Sequence, residues 1–380
     1  MKQGGIKVRW AARDVAVFCI LSLMAGNVMA QMPLGTSPVT VSEEVPFQPT
    51  MLIEGLIEAG YIGRWEPPKG ARSREFRIKE AQLGIGGRVF PRVNYYLEAN
   101  FSEPDERVLL NDAVITYEIA PWLSFAVGQI RVPLNRPAVS NKGSIFLFEP
   151  PSAGPQQAKA RDRGANLIFR LLDGRVLYEQ AITNGEGIGR GTTGNPDDNL
   201  LVQGRLLYFI PAPWPVPLPQ QTDLQGNPWH TYLKAGWAVG RSNRFLIAEN
   251  LHEEAGEFTW NIGQAVIGHG FYGFWQMGRS EAEGTRDFGV WSATLTTGYY
   301  FGLTHALHLE PKLQYLRLWR DDETVPDGSP TEVVRAGLNV YPFQPIDRLR
   351  LTRLMIEYEW QRDPVETKAI YLFLHYAFTS

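Results

Sequence analysis

The sequence predicts an all-β fold, a transmembrane antiparallel β-barrel of about 16 strands with one loop folded inward. Three observations support this class. Apolar and polar residues alternate in segments of about ten residues, no helical periodicity follows the N-terminus, and the chain ends on an alternating segment, IYLFLHYAFTS. A strand of this kind with a free edge would pair with other chains, whereas a last strand that closes on the first has no free edge.

Each alternating segment has an apolar face and a polar face. In VNYYLEANF, for example, Val93, Leu97 and Phe101 oppose Asn94 and Glu98. In a soluble sandwich the apolar face would form the core, and in a membrane barrel it would face lipid. Aromatic residues near strand ends, charges of both signs on the polar faces, and short turns that alternate with long polar loops favour the barrel. We predict strands at about 51–65, 74–90, 93–102, 109–119, 122–132, 162–171, 175–183, 198–210, 229–240, 257–268, 270–280, 286–301, 304–320, 331–342, 348–361 and 366–378.

The N-terminus has the features of a secretory signal peptide. A basic region precedes an apolar core at 15–24, and a small residue, Ala30, stands where cleavage would occur. The only cysteine, Cys19, lies inside this core, so the mature chain is expected to have neither a disulfide nor a cysteine nucleophile. We predict a signal peptide at 1–30, a periplasmic N-terminal segment at 31–50 and an outer-membrane β-barrel at 51–380.

The charge balance argues against a nucleic-acid partner. The formal net charge is -3, and removal of residues 1–30 takes away four basic residues and one acid, which leaves about -6. A general nucleic-acid binder would be basic. Against this acidic background, the segment from Arg131 to Arg163 contains six basic residues and two acids, a local net charge of about +4.

The connection after the fifth predicted strand, from Pro133 to about Arg161, is the longest in the first half of the chain. A connection of this length is either functional or disordered. Its four adjacent apolar residues, 145–148, would pack on the inner wall if the loop folded into the barrel. The basic residues would then narrow the pore and favour anions, whereas the alternative is a solvated loop with scattered charge. The predicted constriction and anion-binding residues are Arg131, Arg136, Lys142, Lys159, Arg161 and Arg163.

Four short motifs lie in the first half of the chain: GIGGRVFP at 84–91, VGQIRVP at 127–133, DRG at 162–164 and TNG at 183–185. With the strands around them, over roughly residues 50–190, they resemble the phosphate-selective porin O and P family. The resemblance implies a 16-stranded diffusion porin, often trimeric, whose third loop folds inward. It also implies, for the phosphate-selective members, a ladder of lysines and arginines along the pore.

The predicted lumen departs from such a ladder, because seven acidic residues share it with seven basic ones. From the resemblance we therefore expect a general porin with a preference for anions, and not a phosphate-specific one. By alternation, the basic lumen residues are Arg88, Arg170, Arg205, Lys234, Lys312, Arg335 and Arg353, and the acidic ones are Glu80, Glu98, Asp112, Glu118, Glu310, Glu357 and Glu359.

The sequence thus predicts an outer-membrane porin of a Gram-negative-type bacterium for passive diffusion of small hydrophilic solutes, with phosphate-like anions among the candidates. The expected partners are outer-membrane lipid, small inorganic or organic anions and, from the resemblance, a homotrimer. We expect no nucleic acid, no cofactor, no metal site and no catalytic residue, since no G-x-S-x-G elbow accompanies a histidine partner. The alternative is a barrel sheath or scaffold around a periplasmic or lumenal protein partner, such as a multihaem cytochrome in an electron conduit.

Overall fold

The computed structural model divides the chain into a unit at Met1–Phe47 and a unit at Gln48–Ser380, and the second unit is the barrel. The predicted signal peptide at 1–30 and most of the predicted segment at 31–50 lie outside the described residues. In the ranges that the structure describes, no helix is both long enough and apolar enough to cross a membrane. These ranges are 47–66, 71–102, 108–134, 161–185, 200–211, 228–242, 255–283, 288–304, 307–321, 330–342, 351–363 and 365–379.

Sixteen antiparallel strands form one closed sheet, which confirms the predicted fold class. Every predicted strand overlaps an observed one. The twelfth strand is interrupted at Tyr300 and continues for two residues, Phe301–Gly302. The strands are β1 Thr50–Glu66, β2 Ala71–Phe90, β3 Val93–Asn100, β4 Leu109–Ala120, β5 Leu123–Arg131, β6 Arg161–Leu171, β7 Val176–Thr183, β8 Leu201–Ile210, β9 His230–Ser242, β10 Ala255–Gly268, β11 Phe271–Glu283, β12 Phe288–Tyr299, β13 His308–Asp321, β14 Thr331–Tyr341, β15 Leu351–Asp363 and β16 Val365–Thr379.

The last strand shows how alternation positions side chains in this barrel. Tyr371, Phe373 and His375 point inward and are at most 3% exposed, whereas Leu372 and Leu374 point outward and are 42% and 55% exposed. Around the barrel, most buried polar side chains belong to inner faces, and most exposed large hydrophobic side chains belong to outer faces. An apolar exterior around a polar interior is the arrangement of a transmembrane barrel.

The barrel closes where β16 pairs with β1. The register runs from Glu54 beside Thr379 to Trp65 beside Lys368, and Gly60 lies opposite Phe373 in the middle of this seam. Closure gives the backbone N–H and C=O groups of both terminal strands hydrogen-bond partners, so that neither strand presents a free edge to lipid. The alternating segment at the end of the chain is therefore the closing strand.

The two ends of the barrel differ in their connections. At one end, which we call the turn end, the connections include the two-residue turns 91–92 and 269–270. At the other, the loop end, they include residues 132–160 and 184–200. The β1–β2 hairpin rises toward the loop end beyond β3: β2 pairs with β3 only from Gln82 onward, and residues 71–80 pair with β1 alone among the described strands. The turn end is where β1 begins and β16 ends.

Candidate pore constriction

The residues that directly follow β5 turn into the barrel. Leu134 is 1% exposed and packs against Leu201 and Ala238, which lie on the inner faces of β8 and β9. Its carbonyl oxygen accepts a hydrogen bond from Nδ2 of Asn261 on β10, at 3.2 Å. Gly236 leaves room for this contact, since a Cβ there would lie 2.9 Å from the same oxygen. The loop thus begins inside the lumen. Residues 135–160, which include the apolar residues 145–148 predicted to pack on the inner wall, lie outside the described part of the chain.

Two arginines at the ends of this loop share two carboxylates. Arg131 places its Nη2 atom 2.7 Å from Oδ2 of Asp112 and 3.5 Å from Oε2 of Glu98. Arg161 lies beside Arg131 in the β5–β6 register and donates from Nε to Oδ1 of Asp112 at 2.8 Å and from Nη2 to Oε1 of Glu98 at 3.0 Å. We call these four residues the arginine–carboxylate cluster. Its two positive charges are balanced by two negative charges.

A β-bulge between β3 and β4 shapes the wall beside this cluster. The register shifts after Glu98, so that Asn111 and Asp112 are both buried although they are adjacent. Asn111 donates from Nδ2 to Glu98 at 2.9 Å, and Gln129 donates to the carbonyl oxygen of Asn111 at 2.9 Å. The hydroxyl of Tyr96 donates to the other oxygen of Glu98 at 2.9 Å. Since buried carboxylates need several donors, these contacts stabilise Glu98 in its place.

The structure places the six predicted constriction residues in different settings. Arg131 and Arg161 come together, but as partners of carboxylates. Arg163 is exposed, and its backbone N–H donates to Oδ1 of Asp162 at 2.8 Å. The remaining three, Arg136, Lys142 and Lys159, lie outside the described residues.

The seven basic residues predicted for the lumen are also engaged by neighbouring strands. Four of them have a carboxylate partner, one has an amide partner, one has a hydroxyl partner, and Arg353 is fully buried. The pairs are Arg88 with Glu118 at 3.2 Å, Arg205 with Glu179, Lys312 with Glu357 at 3.2 Å, Arg335 with Glu359 at 2.6 Å, Lys234 with Gln276 at 2.8 Å and Arg170 with Ser124 at 3.1 Å.

Cross-strand pairing of opposite charges has a consequence for ion conduction. A carboxylate within ion-pair distance of an arginine or lysine, as found for four of these seven residues and for Arg131 and Arg161, cancels most of its field at a distance greater than the pair separation. The described wall therefore lacks the continuous basic ladder that the resemblance implies for phosphate-selective porins. Glu179 was missed by the sequence analysis, although it alternates with the inner residues Ala181 and Thr183 and could have been assigned to the lumen.

Two further carboxylates on the inner wall contact polar side chains of neighbouring strands. Glu310 accepts from Nδ2 of Asn339 at 2.6 Å, and Glu58 lies 2.7 Å from Nδ1 of His375 across the seam. Among the described residues, no group of three or more His, Cys, Asp or Glu side chains is placed to hold a metal ion.

Shortening Leu134 tests whether its contact holds the loop inside the lumen. We expect Leu134→Ala to weaken the packing of the loop on the inner wall by about 2–5 kcal/mol, because it leaves a cavity against Leu201 and Ala238. The loop would then leave its position for part of the time, and the single-channel conductance in planar bilayers should rise and fluctuate. Leu233→Ala is the matched control, since Leu233 is 46% exposed on the outer face of β9. Equal conductance of the wild type and Leu134→Ala would contradict a role in narrowing the pore.

A closed barrel with an apolar exterior, a charged inner wall and a loop that begins inside the lumen has the architecture of a transmembrane β-barrel with an aqueous channel. No family model and no curated protein matches the sequence. The outer membrane channel DcaP of Acinetobacter baumannii is similar in structure, with a TM-score of 0.58 and 12% identity over 87% of this chain and 97% of that chain. An anion-selective porin from Comamonas acidovorans has a TM-score of 0.57 and 11% identity over 87% of this chain and 100% of that chain. The trimer form of OmpT from Vibrio cholerae has a TM-score of 0.57 and 8% identity over the same shares. These likenesses show that the fold is that of outer-membrane porins.

Proposed function

We propose that this chain is an outer-membrane porin of a Gram-negative-type envelope, through which small hydrophilic solutes diffuse passively. The observation that supports the proposal best is the closed sixteen-stranded barrel with a polar inner face and Leu134 packed inside it. Sixteen strands leave an aqueous channel, and a loop that enters this channel limits the size of the solutes that pass. The proposal includes no catalytic activity.

We further propose that the channel prefers anions. This preference depends on the loop between Arg131 and Arg163. The wall contributes little net charge, because Arg131, Arg161 and four of the seven basic lumen residues are paired with carboxylates. The loop adds Arg136, Lys142 and Lys159 against the single acid Glu149. At a narrow site of low dielectric constant, such residues would stabilise a partly dehydrated anion. The similarity to an anion-selective porin supports this direction.

Two further predictions come from the sequence resemblance. Phosphate is the first anion to test as a blocker, since the motifs at 84–91 and 127–133 resemble those of the phosphate-selective porin O and P family. A homotrimer is the expected assembly, and the trimer form of the structurally similar OmpT supports it.

Reversing two charges of the loop tests the anion preference. Lys142→Glu with Lys159→Glu changes the loop by four charge units, so the permeability ratio should shift toward cations. The measurement is the zero-current potential of the refolded barrel in a planar bilayer under a salt gradient. We expect this potential to shift from the sign that indicates anion selectivity toward the sign that indicates cation selectivity.

The matched control reverses two charges at the turn end. Arg92 and Arg175 are exposed in turns, so Arg92→Glu with Arg175→Glu changes the total charge equally and should leave the ratio close to that of the wild type. An unchanged ratio in the loop variant would place the selectivity elsewhere. A large and unselective conductance of the wild type would instead favour the sheath around a partner protein.

A further inference from the structure

Aromatic and basic side chains alternate on the outer face near the loop end, across strands β15, β16, β1 and β2. One row, in register, consists of Trp360, Lys368, Trp65 and Arg72. The next row toward the turn end consists of Tyr358, Ile370, Gly63 and Arg74. The rings of Trp65 and Tyr358 lie 6.4 Å apart between these rows. Tryptophan and tyrosine at this height mark the membrane–water interface.

A pocket of about 300 Å³ opens in this part of the outer face. Gly63 forms its floor, because the glycine has no side chain to fill the space between the strands. Tyr61, Trp65 and Ile370 supply apolar walls, and Arg72 and Arg74 supply two guanidinium groups. The pocket therefore combines an apolar surface with two positive charges, which is the combination that an anionic amphiphile requires.

The two arginines differ from other basic residues on the outer face. Lys368 lies 2.8 Å from Glu366, and Arg279, which stacks on Trp291, lies 2.7 Å from Glu281. Arg72 and Arg74 are exposed and have no carboxylate within ion-pair distance in the described part of the chain. A lipid-exposed arginine is most unfavourable at the bilayer midplane and less so near the interface. An anionic partner from the membrane would remove this cost.

We infer that Arg72 and Arg74, together with the pocket over Gly63, bind the phosphate headgroup of a membrane lipid in the leaflet at the loop end. Guanidinium groups bind phosphate through charge-assisted hydrogen bonds, often two at a time. Below the two arginines, Phe76 and Ile78 are 88% and 60% exposed on the same face and would contact the acyl chains. The inference depends on the barrel fold and not on the proposed conduction.

The test is lipid binding to the detergent-solubilised full barrel, measured by native mass spectrometry with phosphatidic acid as the probe. We expect Arg72→Gln with Arg74→Gln to weaken binding by about tenfold or more, since two charge-assisted contacts are lost. Arg77→Gln is the matched control: Arg77 pairs with Gly60, lies on the opposite face of the same strand and should leave binding unchanged. Equal binding by the double variant and the wild type would overturn the inference.

A second variant and a competitor identify the source of the phosphate. Gly63→Leu fills the pocket without removing a charge, and its Cβ would meet the nearest side chain, that of Tyr61, at 3.4 Å. We expect it to weaken phosphatidic acid binding as well. Inorganic phosphate at the same concentration should not displace the lipid, because it lacks acyl chains. Displacement by inorganic phosphate, or full lipid binding by Gly63→Leu, would show a site for free phosphate and overturn the assignment to a lipid.

Discussion

Replacing Asp112 by asparagine is expected to destabilise the barrel by about 3–5 kcal/mol, because it leaves a buried positive charge without its partner. The side chain of Asp112 is 1% exposed and contacts both Arg131 and Arg161. Only Glu98 would remain to balance the two guanidinium groups. The measurement is the urea midpoint of unfolding of the refolded barrel in liposomes. Unfolding is monitored by the loss of the folded band on unheated gels.

The matched control for this change is Glu118→Gln. Glu118 also pairs with an arginine, Arg88, at 3.2 Å, but both side chains are about two-fifths exposed. An exposed pair contributes about 1 kcal/mol or less, so the urea midpoint should move little. A midpoint for Asp112→Asn equal to that of Glu118→Gln would mean that water or other groups already compensate the arginines. Conductance gives a second readout, since the unpaired charge in Asp112→Asn should shift the permeability ratio toward anions.

Replacing Gly60 by valine is expected to prevent closure of the barrel. Gly60 lies on β1 opposite Phe373 on β16, and a Cβ at this position would overlap the carbonyl oxygen of Leu372 and lie 2.6 Å from the Cα atom of Phe373. Both contacts are with the backbone, which cannot move without breaking the hydrogen bonds of the seam. We therefore expect Gly60→Val to yield no heat-modifiable folded band on refolding.

Gly63→Ala is the control for the seam. It lies three residues further along β1, where an added Cβ would have its nearest side-chain contact at 3.4 Å. This variant should refold as the wild type does. A folded band of normal intensity from Gly60→Val would contradict the close approach of β1 and β16.

The strands could be predicted from the sequence because one physical rule applies along the whole barrel. Each strand has lipid on one side and a polar lumen on the other, so alternation marks it throughout its length. Errors occur at the ends: the thirteenth strand was predicted from residue 304, but Thr304 lies in a bend and the strand begins at His308. The bulge at Asn111 was also missed, because one extra residue hardly disturbs the alternation.

The candidate site was less predictable. The net charge of the segment from Arg131 to Arg163 gives no information about partners on other strands, so Glu98 and Asp112 were counted as separate lumen acids. Their pairing with both arginines depends on the registers of β3, β4, β5 and β6, which alternation does not determine. The anion-binding role of Arg136, Lys142 and Lys159 stays a prediction.

The seam between β1 and β16 also determines when the barrel can become stable. The contact of Glu58 with His375 joins residues 317 positions apart, so it forms only after β16 has been made. Folding slows as contacts become more distant along the chain, because the chain loses the conformational entropy of a long loop before the pairing contacts stabilise it. Until β1 pairs with β16, each of these two strands has an unpaired edge. The yield of folded protein should therefore depend on how well the emerging chain is protected from aggregation during this interval.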